Sequence, residues 1–184
     1  MAFAVVYDAC VLYPSITRDL LIRVGIERMV RVHWSAEILD EVFRNIVANR
    51  PDLDPVALHR TRELMQKALP NAMVSGYEPL IAGIDLPDPD DRHVLAAVIA
   101  ANAQLIVTDN LKHFPAGKLA PFGVEARGAD DFLVDQIHIS VVTVRAIVTA
   151  IGVSRPNPVS DGQILAEMER SGLIQSAALL RANT

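Results

Sequence analysis

Cysteine is almost absent from the 184 residues: Cys10 stands alone, so no intramolecular disulfide framework can form. Such a chain is not a disulfide-stapled secreted scaffold and suits a reducing compartment. Long apolar runs are missing as well, and none approaches the ~20 residues needed to span a membrane. The first residues show no basic segment followed by an apolar stretch and a small-residue cleavage site, so a cytoplasmic location with no membrane association is expected. Aromatic residues make up 5%, and Trp34 and the three tyrosines are too scattered to build a base-stacking platform. The five histidines are equally dispersed, which disfavours a zinc site of Cys/His spacing. Basic charge is in deficit, with 17 Lys and Arg against 22 Asp and Glu. The net charge of −5 exerts no global pull on a polyanion, so a nucleic-acid partner would need a local basic patch or metal ions. What remains is an ordinary globular composition, 51% hydrophobic and 21% charged.

Apolar patterning gives this composition an order. Phe3 to Tyr7 form a continuous apolar run, the mark of a strand buried on both faces, and "QLIVTD" is a second such run. "VRVHW", "NAMVSGYE" and "FGVEARG" are weaker strand candidates. Between them lie helical patterns: one after Pro14, an amphipathic one capped by Ser35 and ended by Pro51, one capped by Asp54, and "DDRHVLAAVIAANA". Strands alternating with helices predict an α/β fold with a central, mainly parallel sheet flanked by helices. After a short helix in "ADDFLVDQIH", "ISVVTVRAIVTAIGV" reads as a helix or, from its β-branched residues, a strand. "SRPNPVS" reads as a linker, and Ser160 caps a further helix that stops at Gly172. A main domain over residues 1–136 and a helical C-terminal extension over residues 137–184 are expected, the extension packing on the domain or on a partner.

Carboxylates concentrate where such a sheet binds ligands, outside the carboxyl ends of its strands. "AVVYD" ends at Asp8 and "LIVTD" at Asp109. Around the helix following "DPDD", the apolar stripe of Val94, Leu95, Val98 and Ile99 centres about 10° from Asp91, so Asp91 faces the core at the first turn. Asp90 lies about 100° off that stripe. Asp85, Asp88 and Asp90 read as solvated loop acids. A core-directed carboxylate is costly to desolvate without a cation or hydrogen-bond donors, and several together call for a hard divalent ion with oxygen ligands, Mg²⁺ or Mn²⁺. Phosphate esters are the matching substrates. Glu41 sits about 150° from its own helix's apolar stripe, a position as suited to a groove as to plain solvent, with Glu37 one turn away as the alternative. Thr108 either orders a carboxylate or simply ends a strand. Arg18, Arg44, Arg92, Lys112 and His113 are candidate phosphate contacts, each more commonly a solvated residue. His93 reads as a surface or helix-capping residue, and Cys10 as a small packed one.

Taken together, "VVYDAC", "SAEILDEV", "DPDDRHVLAAVIAANAQLIVTDN" and "NLKHFP", in that order, resemble the PIN domain, the metal-dependent ribonuclease fold that includes the VapC-type toxins of toxin–antitoxin modules. The resemblance covers about residues 3–136. It implies a PIN-like three-layer fold and an acidic cluster of Asp8, Glu41, Asp91 and Asp109 that binds Mg²⁺ or Mn²⁺ and catalyses endoribonuclease cleavage. It further implies Thr108 and Asn110 in support, RNA as substrate, a small cognate antitoxin as partner, and a homodimer. Many PIN domains carry the last acid two residues after the threonine, where this chain has Asn110; Asp109 comes one residue earlier. That shift keeps open a PIN-like module that binds RNA or protein without cutting. An aspartyl-phosphatase reading is weaker, because Cys10 stands where that chemistry wants a second aspartate.

Overall fold

The computed structural model describes residues 3–183. Among these, five short strands form one parallel sheet: β1 (Ala4–Tyr7), β2 (Arg31–Ser35), β3 (Met73–Val74), β4 (Leu105–Val107) and β5 (Glu125–Arg127). Their spatial order is β3-β2-β1-β4-β5. The chain builds outward from β1 through β2 to β3, then returns to the other side of β1 with β4. Strand order therefore reverses at β1, and the crevice between the carboxyl ends of β1 and β4 is the switch point at which open parallel sheets bind ligands. The register sets Tyr7 beside Val107, so Asp8 and Thr108 leave the sheet side by side.

The apolar runs form the centre of the core: Val5, Val6, Ile106 and Val107 are fully buried, as is Trp34 on β2. Helices α1 (Ala9–Leu12), α2 (Ser15–Ile26), α3 (Ala36–Asn49), α4 (Pro55–Ala68), α5 (Glu78–Ile81), α6 (Arg92–Ala100) and α7 (Ala116–Leu119) flank the sheet in the expected layered α/β arrangement. Ser35 caps α3 through Ile38 N at 3.1 Å, and Asp54 caps α4 through Val56 N at 2.9 Å, as the sequence predicts. The helix expected from Asp90 opens instead as a 3₁₀ turn, Pro89–Asp91, because the Asp88 carboxylate accepts from Asp90 N and closes a tight turn ahead of α6.

The C-terminal segment is helical: α8 (Ala129–Ile139), α9 (Val141–Ser154), α10 (Asp161–Arg170) and α11 (Ile174–Ala182). The β-branched "ISVVTV" is thus helix, its start fixed by Ser140 Oγ accepting from Thr143 N. α9 packs on α2 and α8, α11 on α8, and α10 on α9 and α11, so these helices fold back on the same chain. Ser160 and Gln163 form a reciprocal capping box at α10. Among the described residues, no single helix is long and apolar enough to cross a membrane.

Candidate active site

Asp8 begins the site. It is 3% exposed, immediately after β1, and its Oδ1 accepts from Ala9 N at 2.7 Å. Its Oδ2 accepts from the buried Thr108 hydroxyl at 2.7 Å and from Cys10 Sγ at 3.3 Å. Thr108 therefore orders a carboxylate rather than simply ending a strand. The same hydroxyl oxygen accepts from Asn110 N at 3.1 Å, which ties the turn after β4 to the turn after β1. Burial, reinforced by the Asp8 charge, pushes the Cys10 thiol up to about 12, so Cys10 is an inert packed thiol as expected.

A groove of about 600 Å³ opens over this edge of the sheet. Glu37, Glu41 and Arg44 line it from α3, Asp88, Asp90 and Asp91 from the 3₁₀ turn region, His93 from α6, and Asn110 and His113 from the segment after β4. Burial raises the Glu41 carboxyl above the usual range, and the charges of Asp8, Asp91 and Glu37 raise it further, against a lowering by Arg44. The Asp91 carboxyl is likewise raised by burial and by Asp8 and Asp88, and lowered by its hydrogen bond with His113. Asp8, Glu41 and Asp91, brought from three separate elements, thus lie within one electrostatic field. Such mutual repulsion in a partly desolvated groove is relieved by a cation. The donor set of carboxylate oxygens, with one imidazole beside it, fits a hard divalent ion.

Asp109 is oriented differently. Its side chain is exposed and its Oδ1 accepts from Ala129 N at 2.9 Å, capping the start of α8 from outside. Asn110, not Asp109, lines the groove in this conformation.

Three assignments made from sequence are corrected. Asp88, read as a solvated loop acid, is 40% exposed yet lines the groove, with Oδ2 3.8 Å from His113 Nδ1. Donor atoms of Asp88, Asp91 and His113 all lie within 4.8 Å of one another. His93, read as a surface or helix-capping residue, is 6% exposed and faces the α3 carboxylates. Arg18, a candidate phosphate contact read more commonly as a solvated residue, instead donates from Nη1 to Leu12 O and Tyr13 O at the end of α1, and it lines a different groove beside Asp19 and Ile22. His113 is committed to Asp91, with Nδ1 2.7 Å from Oδ2. The clue to its place was that "LKH" directly follows "TDN", which sets His113 four residues beyond Asp109 in the segment leaving the carboxyl end of β4.

An open parallel sheet in this order, with an acidic groove at its switch point, defines an α/β protein whose ligand site lies at the carboxyl ends of β1 and β4, and family comparison narrows the class. A family profile described as PIN domain matches residues 4–112, more than half the chain, and a second, described as VapC50 C-terminal domain, matches residues 129–182. The chain belongs to the PIN-domain family. A Mycobacterium tuberculosis protein curated under the name "Putative ribonuclease VapC50" is 42% identical over 80 residues, covering 44% of this chain and 47% of the relative. The match thus spans about half the length of that curated relative. No solved structure gives a significant match.

Proposed function

We propose that the protein is a Mg²⁺- or Mn²⁺-dependent endoribonuclease, the toxin of a toxin–antitoxin pair, acting in the cytoplasm on an exposed RNA segment. The observation that carries this reading is the placement of Asp8, at the end of β1, beside Glu41 and Asp91, which line one groove from α3 and the turn before α6: the Asp8 charge raises the pKa of both, and Asp91 raises that of Glu41. Bound there, the cation would act as a Lewis acid toward the phosphodiester and lower the pKa of an attacking water. Asp8, Glu41 and Asp91 would hold it. Thr108 fixes the Asp8 carboxylate by its 2.7 Å hydrogen bond. Asp109 joins the ligand set once its side chain turns from Ala129 N; in the orientation seen, Asn110 takes the groove-facing place. Arg44, one turn beyond Glu41, would offer a guanidinium to an RNA phosphate. The relative's name supports RNA as substrate, and a small antitoxin would act by covering the groove. We further propose that residues 1–136 form the nuclease unit, that 137–184 form an extension docked on it, and that the protein acts as a homodimer.

Induced expression in a bacterial host tests the toxin reading. Wild type should arrest growth and generate new RNA 5′ ends, Asp8→Asn should do neither, and co-expression of a cognate small antitoxin should relieve the arrest. Arrest by Asp8→Asn equal to wild type would contradict the reading. The engagement of Asp109 with α8 favours one alternative, a PIN-like module that binds RNA or protein without cutting. Such a module would bind RNA but yield no new ends under any divalent ion.

A further inference from the structure

His93 has no task in the chemistry above, yet its placement is specific. It is the second residue of α6 and 6% exposed, and its Nδ1 has no hydrogen-bond partner. Burying an imidazole with an unsatisfied ring nitrogen is unfavourable, so packing alone would favour an apolar residue there. The ring stands between two carboxylates of α3: Nδ1 lies 3.8 Å from Glu37 Oε2, and Nε2 lies 3.8 Å from Glu41 Oε2. Those glutamates are four residues apart, hence stacked on one helix face, and that face is off the apolar stripe of α3. Glu37 is fixed from behind, its Oε2 accepting from the Tyr77 hydroxyl at 3.3 Å. At 3.8 Å neither contact is a formed hydrogen bond, and each is within reach of one bridging water. Glu41 is long, flexible and a third exposed, so aiming it into the groove has an entropic cost unless a fixed neighbour restricts it.

We propose that His93 is a positioning residue: placed against Glu37 on one side, it orients the Glu41 carboxylate toward Asp8 and Asp91 on the other. This rests on the reading of those carboxylates as divalent-cation ligands. Outer groups that orient metal-binding carboxylates contribute about 10- to 100-fold to metal affinity.

The test is a double-mutant cycle on the dissociation constant of Mn²⁺ alone, read from the electron paramagnetic resonance of the free ion. It uses wild type, His93→Leu, Glu41→Gln and the double variant, with His93→Gln as a donor-retaining control. His93→Leu should weaken Mn²⁺ binding about 10-fold in the wild-type background and less than about twofold in the Glu41→Gln background, with His93→Gln recovering part of the loss. An equal loss in both backgrounds would assign His93 a merely structural role and overturn the proposal, as would no loss in the wild-type background. Should His93→Leu fail to fold, His93→Ala carries the same cycle. Wild type that binds no Mn²⁺ would instead defeat the cation reading, and the positioning role with it.

Discussion

Thr108 shows how one hydroxyl sets the geometry of a site. Its hydrogen goes to Asp8 Oδ2 and its oxygen accepts from Asn110 N, so the ends of β1 and β4 are locked through a single buried group. Thr108→Val preserves shape but leaves a buried carboxylate oxygen short of a donor and an amide short of an acceptor. The variant should lose about 1–3 kcal/mol of stability in chemical denaturation, together with most of the cleavage activity. Stability equal to wild type would show that the hydroxyl is not the lock. Glu41 makes the opposite trade. Its folded-state pKa is raised, first by burial and then by Asp8 and Asp91, so the fold favours its protonated form and ionisation destabilises the protein. The penalty is absent below the ordinary glutamate value of about 4.3, where both states are protonated, and complete above the raised folded value. Without divalent ions, Glu41→Gln should melt higher than wild type at about pH 7, and the difference should shrink as pH falls toward about 4. A difference that grows on acidification would contradict the assigned shift. Asp8 and Asp91 were legible as residues because strand ends and helix angles follow from local periodicity. The orientation of Asp109 was not, because it depends on Ala129 N, twenty residues away in sequence.

At the scale of elements, acidic caps connect the groove to the C-terminal helices. Asp109 caps α8, and Asp130, in the first turn of α8, caps α11 in turn: its Oδ2 accepts from Gln175 N at 2.8 Å, and its Oδ1 accepts from Ser176 N at 2.9 Å and from Ser176 Oγ at 2.6 Å. Asp130→Ala should raise amide exchange across α11 while leaving β1 and β4 protected, and exchange unchanged in α11 would refute the anchoring. Gly152 on α9 is a second such point. A Cβ there would meet the Val159 carbonyl oxygen at 2.5 Å, so Gly152→Ala should push the 155–159 linker away and lower the melting temperature. A neutral result would mean that the linker moves freely. Strands and long helices were readable because each carries its own apolar period and cap. The 3₁₀ turn before α6 and the short helices α1, α5 and α7 were not, since a single turn has no period to detect. His93 was misread for a related reason: the α3 carboxylates that it faces lie more than fifty residues earlier, and nothing local to "DDRH" encodes those neighbours.

The whole molecule carries a net charge of −5 and concentrates carboxylates where it is proposed to bind a polyanion. That arrangement is consistent only if a cation reverses the local sign, and this dependence is the central claim. The parallel sheet, its helical layers and the aspartate-ended strands were foreseeable from alternating apolar runs. The reversal of strand order at β1, which turns two separate strand ends into one crevice, became visible only in the fold. The most direct measurement is cleavage of an end-labelled single-stranded RNA by purified protein with Mn²⁺, with Mn²⁺ plus excess EDTA, and by Asp8→Asn and Glu41→Gln with Mn²⁺. The account predicts discrete products from wild type with Mn²⁺, none with EDTA, and a loss of at least about 100-fold in either variant. Undiminished cleavage in EDTA or by Asp8→Asn would contradict it.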